Sequence, residues 1–130
     1  MIVVDTSAWT DWFNGRDTRE ARRLEQALHQ DSIGVTGIIV TETLQGFRTD
    51  SGFEDARRIL TALPMIDLDA DGYVEAAALY RRLRRRGVTL HGVTDCLIAQ
   101  CCISAGAELL SADHDFLMIA GHTTLRLCAT

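Results

Sequence analysis

Five acidic residues stand where acids are costly. Asp5 ends an apolar tetrad in the opening run MIVVD. Glu42 lies among apolar and small residues in GIIVTETLQG, and Asp95 opens the apolar stretch of GVTDCLIAQCCISAG. Asp113 and Asp115 follow an apolar pair in LLSADHDF. Singly, each has an ordinary explanation. Glu42 fits an exposed glutamate on a half-buried helix. Asp95 in a first helical turn stabilises the positive dipole end by roughly 0.3–1 kcal/mol. Asp113 and Asp115 fit a loop with an Asx turn. Jointly the pattern is harder to dismiss, because gathered carboxylates repel one another and lose hydration. That cost has little structural return unless a cation sits between them. An oxygen-only donor set without Cys/His spacing suits a hard cation, Mg²⁺ or Mn²⁺. The hydroxyls of Thr6, Ser7, Thr94 and Ser111 stand beside the acids and can orient them. For Ser7 and Thr94 helix capping is the alternative role, and the two can coexist.

These acids need a scaffold that brings them together. Val3 and Val4 close a first buried strand, and Ser7 is placed to cap a short helix through Trp9, Trp12 and Phe13 that Asn14-Gly15 ends. Residues 18–30 carry Ala21, Leu24, Ala27 and Leu28 at helical spacing. Residues 32–36 are expected to form a second strand and residues 37–44 a helix. A helix over 52–63, with Phe53, Ala56, Ile59, Leu60 and Leu63 inward, stops at Pro64 before a third strand at 65–67. A long helix follows over 71–86, its apolar face expected at Val74, Ala77, Ala78 and Leu83. Thr94 or Asp95 opens a helix through Ser104. A fourth strand at 108–111, a helical turn over 113–119 and an edge strand at 124–127 complete the chain. Strands separated by helices predict an α/β three-layer sandwich with a central parallel sheet of four to five strands. The 130 residues are expected to form one domain. Such sheets work at the carboxyl ends of their strands, where Asp5 and the Ser111–Asp115 segment fall.

Composition removes several chemistries. All 13 basic residues are arginine. Without lysine there is no Walker-type phosphate site and no Schiff base. A receiver-like phosphorylation switch also needs a lysine. A haloacid-type phosphatase needs an acid two residues after the first, where Ser7 stands. A net charge of −5 argues against a general nucleic-acid coating protein. The four cysteines, Cys96, Cys101, Cys102 and Cys128, form no CxxC pair; three read as small buried hydrophobes. No run reaches a membrane span, and MIVVD lacks the basic start of a signal peptide. The expected location is therefore the cytoplasm.

MIVVDTSAW, TETLQG, GVTDCLIA and LLSADHDF, in that order, resemble a PIN-domain ribonuclease, and more narrowly the VapC-type toxin of bacterial toxin–antitoxin pairs. The resemblance runs the length of the chain. It implies that Asp5, Glu42, Asp95 and an acid of the Asp113/Asp115 pair form a metal-binding, catalytic quartet, with Ser7 supporting the first aspartate. It implies a metal-dependent endoribonuclease, a homodimer, and a cognate antitoxin whose tail fills the active-site groove. The alternative is a PIN-like protein that holds RNA or a partner without cutting. Arg81, Arg82, Arg84, Arg85 and Arg86 form the densest basic run and Arg19, Arg22 and Arg23 a second. Each is either a solvated helix face or a rim that grips phosphates, and the second could equally face an antitoxin. His91 and His114 lie near the acids in sequence, and a lone histidine is a weak signal.

Overall fold

Ile2, Val3 and Val4 are buried on both sides and form β1 (Ile2–Val4) at the centre of a sheet. In the computed structural model, which describes residues 1–130, the chain continues through α1 (Thr6–Phe13), α2 (Arg19–Gln30), β2 (Ile33–Thr36), α3 (Gly37–Leu44) and α4 (Asp50–Thr61). Then come β3 (Met65–Ile66), α5 (Ala70–Arg85), α6 (Thr94–Ala105), β4 (Glu108–Leu110), α7 (His114–His122) and β5 (Arg126–Leu127). All pairings are parallel, in the order β3-β2-β1-β4-β5. Val3 lies opposite Gly34 of β2 on one side and Leu109 of β4 on the other.

This order has one reversal. From β1 the chain steps outward through β2 to β3, then returns to the other side of β1 at β4. Right-handed crossovers therefore put α1–α4 on one face and α5–α7 on the other. The packing agrees: α1 contacts α2 and α3, and α3 contacts α4, while α6 contacts α5 and α7. The core between these layers includes Val3, Val4, Trp9, Leu24, Ile39, Leu60, Leu79, Leu83, Ile98, Leu109, Leu110 and Phe116. Cys96, Cys101 and Cys102 are buried with them as free thiols. No helix is long and apolar enough to cross a membrane.

Several local expectations shift. Helix α1 is capped by Asp5, whose carboxylate accepts from the Thr6 N–H; Ser7 is not the cap. Helix α4 starts two residues early, because the Thr49 hydroxyl caps it by accepting from the Gly52 N–H at 3.1 Å. Helix α5 buries Ala76, Leu79 and Leu83, and Val74 is 66% exposed. The alanine-rich helix offers two apolar stripes, and the leucines decide which faces inward. The expected turn near residue 113 is a nine-residue helix, α7, capped by Asp113.

Candidate active site

The reversal in strand order lies between β1 and β4, so the loops leaving them diverge and open a crevice at the carboxyl edge. Asp5 is the first residue past β1. Its N–H donates to the Leu110 carbonyl at 2.9 Å, which pins the two strand ends together. Its side chain is nearly buried, 7% exposed, and gathers three donors. The Thr6 N–H reaches Oδ1 at 2.7 Å, and the Ser7 and Ser111 hydroxyls reach Oδ2 at 3.2 and 2.8 Å. Burial raises its pKa, and the hydrogen bonds from Ser111, Thr6 and Ser7 pull it part of the way back.

Beyond β4, Ser111 accepts from the Asp113 N–H at 3.0 Å, and Asp113 Oδ1 accepts from the Asp115 N–H at 2.9 Å. This turn places both acids at the start of α7. Asp95 approaches from the first turn of α6. Asp95, Asp113 and Asp115 each bring a carboxylate oxygen within 4.8 Å of the others. Helix α6 is the one helix without a side-chain cap; Val93 precedes it, and the Thr94 hydroxyl makes no hydrogen bond. Its free N–H groups and Asp95 open on a cleft of about 250 Å³ lined by Glu42, His91, Gly92, Thr94, Asp95 and Asp113.

Glu42 comes from α3, steered by the Thr6 hydroxyl, which donates to Oε1 at 3.1 Å. With only the protein's own charges acting, Asp95 is pushed up to about 7, first by burial and then by Asp113, Asp5, Asp115 and Glu42. A carboxyl that resists ionisation among four other acids is short of positive charge. Three carboxylates at this spacing, all oxygen donors, fit Mg²⁺ or Mn²⁺.

The family model described as "PIN domain" matches residues 2–121. The chain belongs to the PIN-domain family. Within it, it belongs with the VapC ribonucleases: it is 34% identical to ribonuclease VapC11 of Mycobacterium tuberculosis over 129 residues, 97% of this chain and 96% of that protein. Two solved structures share the fold. VapBC2 from Rickettsia felis, bound to a DNA fragment from its promoter, matches with a TM-score of 0.76 at 22% identity, covering 98% of each chain. Mycobacterium tuberculosis VapC20, described as a sarcin-ricin loop cleaving toxin, matches at 0.69 and 22%, covering 97% of this chain and 99% of that one.

In this PIN domain all five acids expected from sequence converge on one edge, though not equivalently. Asp95, Asp113 and Asp115 form the close group, Asp5 joins Asp113 through Ser111, and Glu42 faces them across the cleft. The arginines do not converge. Arg81, Arg82, Arg84, Arg85 and Arg86 make no salt bridge and no hydrogen bond from their side chains, and Arg84 lies over the Tyr80 ring at 5.5 Å. They sit at the far end of a 16-residue helix that starts just past β3, roughly 24 Å along its axis. In the second cluster, Arg22 pairs with Asp17 and Arg23 with Asp31, and both line a surface hollow with Arg19. His114 makes no polar side-chain contact. His91 does: its Nδ1 lies 2.7 Å from Asp115 Oδ2. Along the sequence the two histidines look alike, and nothing near His91 marks a contact made 24 positions away.

Proposed function

We propose that this VapC-family protein is a metal-dependent endoribonuclease, the toxin of a toxin–antitoxin pair. The observation that carries the reading is the group of Asp95, Asp113 and Asp115 within 4.8 Å, with Asp95 held near 7 by burial and its acidic neighbours. These three would hold the cation, and Asp5 and Glu42 would complete the acidic wall. When bound, Mg²⁺ or Mn²⁺ supplies charge stabilisation at the phosphoryl oxygens and a hydroxide near neutral pH.

The chain's own groups do the positioning. Thr6, Ser7 and Ser111 lock the Asp5 carboxylate, and Thr6 also holds Glu42. These hydroxyls are engaged as donors to carboxylates, and in this reading the nucleophile is water. Water attacks phosphorus in line with the 3′ oxygen, which departs to give a 3′-hydroxyl end and a 5′-phosphate end. The uncapped N-terminus of α6 offers backbone donors to a phosphate at the cleft. The partners in this reading are an RNA substrate, a cognate antitoxin that covers the groove, and a second copy in a homodimer, within the cytoplasm. The arginine run on α5 would reach only an RNA long enough to leave the cleft.

Incubating purified protein with RNA and Mg²⁺, with and without EDTA, tests the reading. Cleavage that EDTA stops and that Asp5→Asn or Asp95→Asn abolishes supports it. Binding without cleavage at any metal concentration points to the non-cutting alternative.

A further inference from the structure

His91 sits on the segment joining α5 to α6. Gly87, at φ +79°, lets the chain turn out of α5 in a left-handed conformation. Val88 and Leu90 then turn inward, 6% and 8% exposed, so the alternation of an extended segment carries His91 outward. Its side chain is 91% exposed, yet it is not loose. Nδ1 lies 2.7 Å from Asp115 Oδ2, and the His91 backbone N–H reaches the same oxygen at 3.4 Å. An ionised carboxylate only accepts, so Nδ1 carries the proton and donates.

Asp115 is 6% exposed, and its own backbone N–H is held by Asp113. Apart from the Asp95 carboxyl when that group is protonated, His91 is the one residue that donates to the Asp115 carboxylate. Both of its donations go to Oδ2, and no nitrogen donor reaches Oδ1. One oxygen of Asp115 is therefore anchored by His91, and the same carboxylate brings an oxygen within 4.8 Å of those of Asp95 and Asp113. Carboxylates that ligate metals are themselves hydrogen-bonded, and those partners set ligand orientation.

We propose that His91 is a positioning residue: Nδ1–H fixes Asp115 through Oδ2 and so sets how its carboxylate is presented to the cation. This rests on the metal-dependent reading above. It makes Asp115 a direct ligand whose aim comes from outside the acidic group.

Three variants separate this role from the others the ring could have. Asn at 91 places an N–H donor near the position of Nδ1; Gln places one near Nε2; Ala places none. Two quantities are read: Mn²⁺ affinity from the electron paramagnetic resonance signal of free ion, and kcat and KM on one RNA substrate. His91→Ala is expected to lose about 10–100-fold in Mn²⁺ affinity. His91→Gln should lose as much, and His91→Asn should stay close to wild type. At limiting Mn²⁺, kcat should follow the affinity with KM for RNA unchanged. Melts in EDTA should show all four proteins folded, with His91→Ala and His91→Gln melting lower only by the loss of the contact to Asp115. Wild-type affinity in His91→Ala overturns the proposal, as does a loss in His91→Asn that His91→Gln does not share. Absence of Mn²⁺ binding by the wild-type protein overturns the metal reading itself, and the role of His91 with it.

Discussion

Ser111 donates its hydroxyl to Asp5 at 2.8 Å, although the two residues are 106 positions apart. The same oxygen accepts from the Asp113 N–H, so one hydroxyl joins the carboxyl ends of β1 and β4 and orders the turn that carries Asp113. Ser111→Ala removes both hydrogen bonds. Stability should fall by about 2–3 kcal/mol, since two hydrogen bonds are lost and one of them is to a carboxylate. Cleavage should fall more than that loss explains, by about 10–100-fold, because groups that orient ligands commonly matter to that extent. Thermal melts and kcat on the same preparation check the pair of effects; unchanged activity would remove Ser111 from the site.

Asp95 is held in a place that costs stability. Asp95→Asn should abolish cleavage and yet stabilise the protein in EDTA at neutral pH by about 0.5–2 kcal/mol, the size common to single stabilising substitutions, because it removes a charge repelled by its acidic neighbours. Denaturant titration measures the gain. A destabilised variant would mean that the carboxylate supports the fold.

The same repulsion sets a pH dependence. Asp95 is raised from 3.8 to about 7, so the folded state binds a proton that the unfolded state has lost across that window. Its contribution is fully present below 3.8 and is lost as pH rises toward about 7. Asp5 is shifted in the same direction by burial. His91 is raised by Asp115, so its contribution is likewise lost as pH rises past its unfolded value of 6.5. Asp115, lowered by His91, contributes above 3.8 and loses that only under stronger acid. Asp113 and Glu42 also face Asp95 and add to the repulsion that raises it. In EDTA the protein should therefore melt higher at pH 5 than at pH 7.5. Melting lower at pH 5 would contradict the assigned shifts.

Adding Mn²⁺ should reverse this trend at neutral pH. Binding to the folded state alone stabilises by about 2.7 kcal/mol at a hundredfold excess over Kd. Melts with millimolar Mn²⁺ against EDTA should differ by several degrees, and Asp95→Asn should lose most of the difference. Equal shifts in both proteins would place the metal elsewhere.

The arginines of α5 make a separate expectation. Arg84→Glu with Arg85→Glu should leave cleavage of an RNA of a few nucleotides unchanged and weaken binding of a long one. The slope of log K against log salt should fall by about 0.7 for each single-strand phosphate that is no longer neutralised. An equal effect on short and long RNA would bring these residues to the cleft.

How much was legible along the chain differs by element. Alternating strands and helices, set by apolar runs and turn residues, were enough for the parallel sheet, and the five acids stood out because each interrupts an apolar context. Helical stripes rich in alanine were ambiguous: Val74 and Ala76 both suit an apolar face, and only packing of Leu79 and Leu83 against the core chose between them. Ser7 and Thr94 read as caps, since local sequence favours hydroxyls there. In the folded chain Asp5 takes the cap of α1, and α6 begins uncapped at the cleft.

The types of the site residues and their place after strands were thus determined by the sequence, because hydrophobic patterning and carboxylate chemistry are local properties. Which acids stand within 4.8 Å, which one Ser111 holds, and that His91 grips Asp115 were decided only by the tertiary structure. Those contacts join segments brought together by the reversal between β1 and β4, and burial there sets the charges against one another.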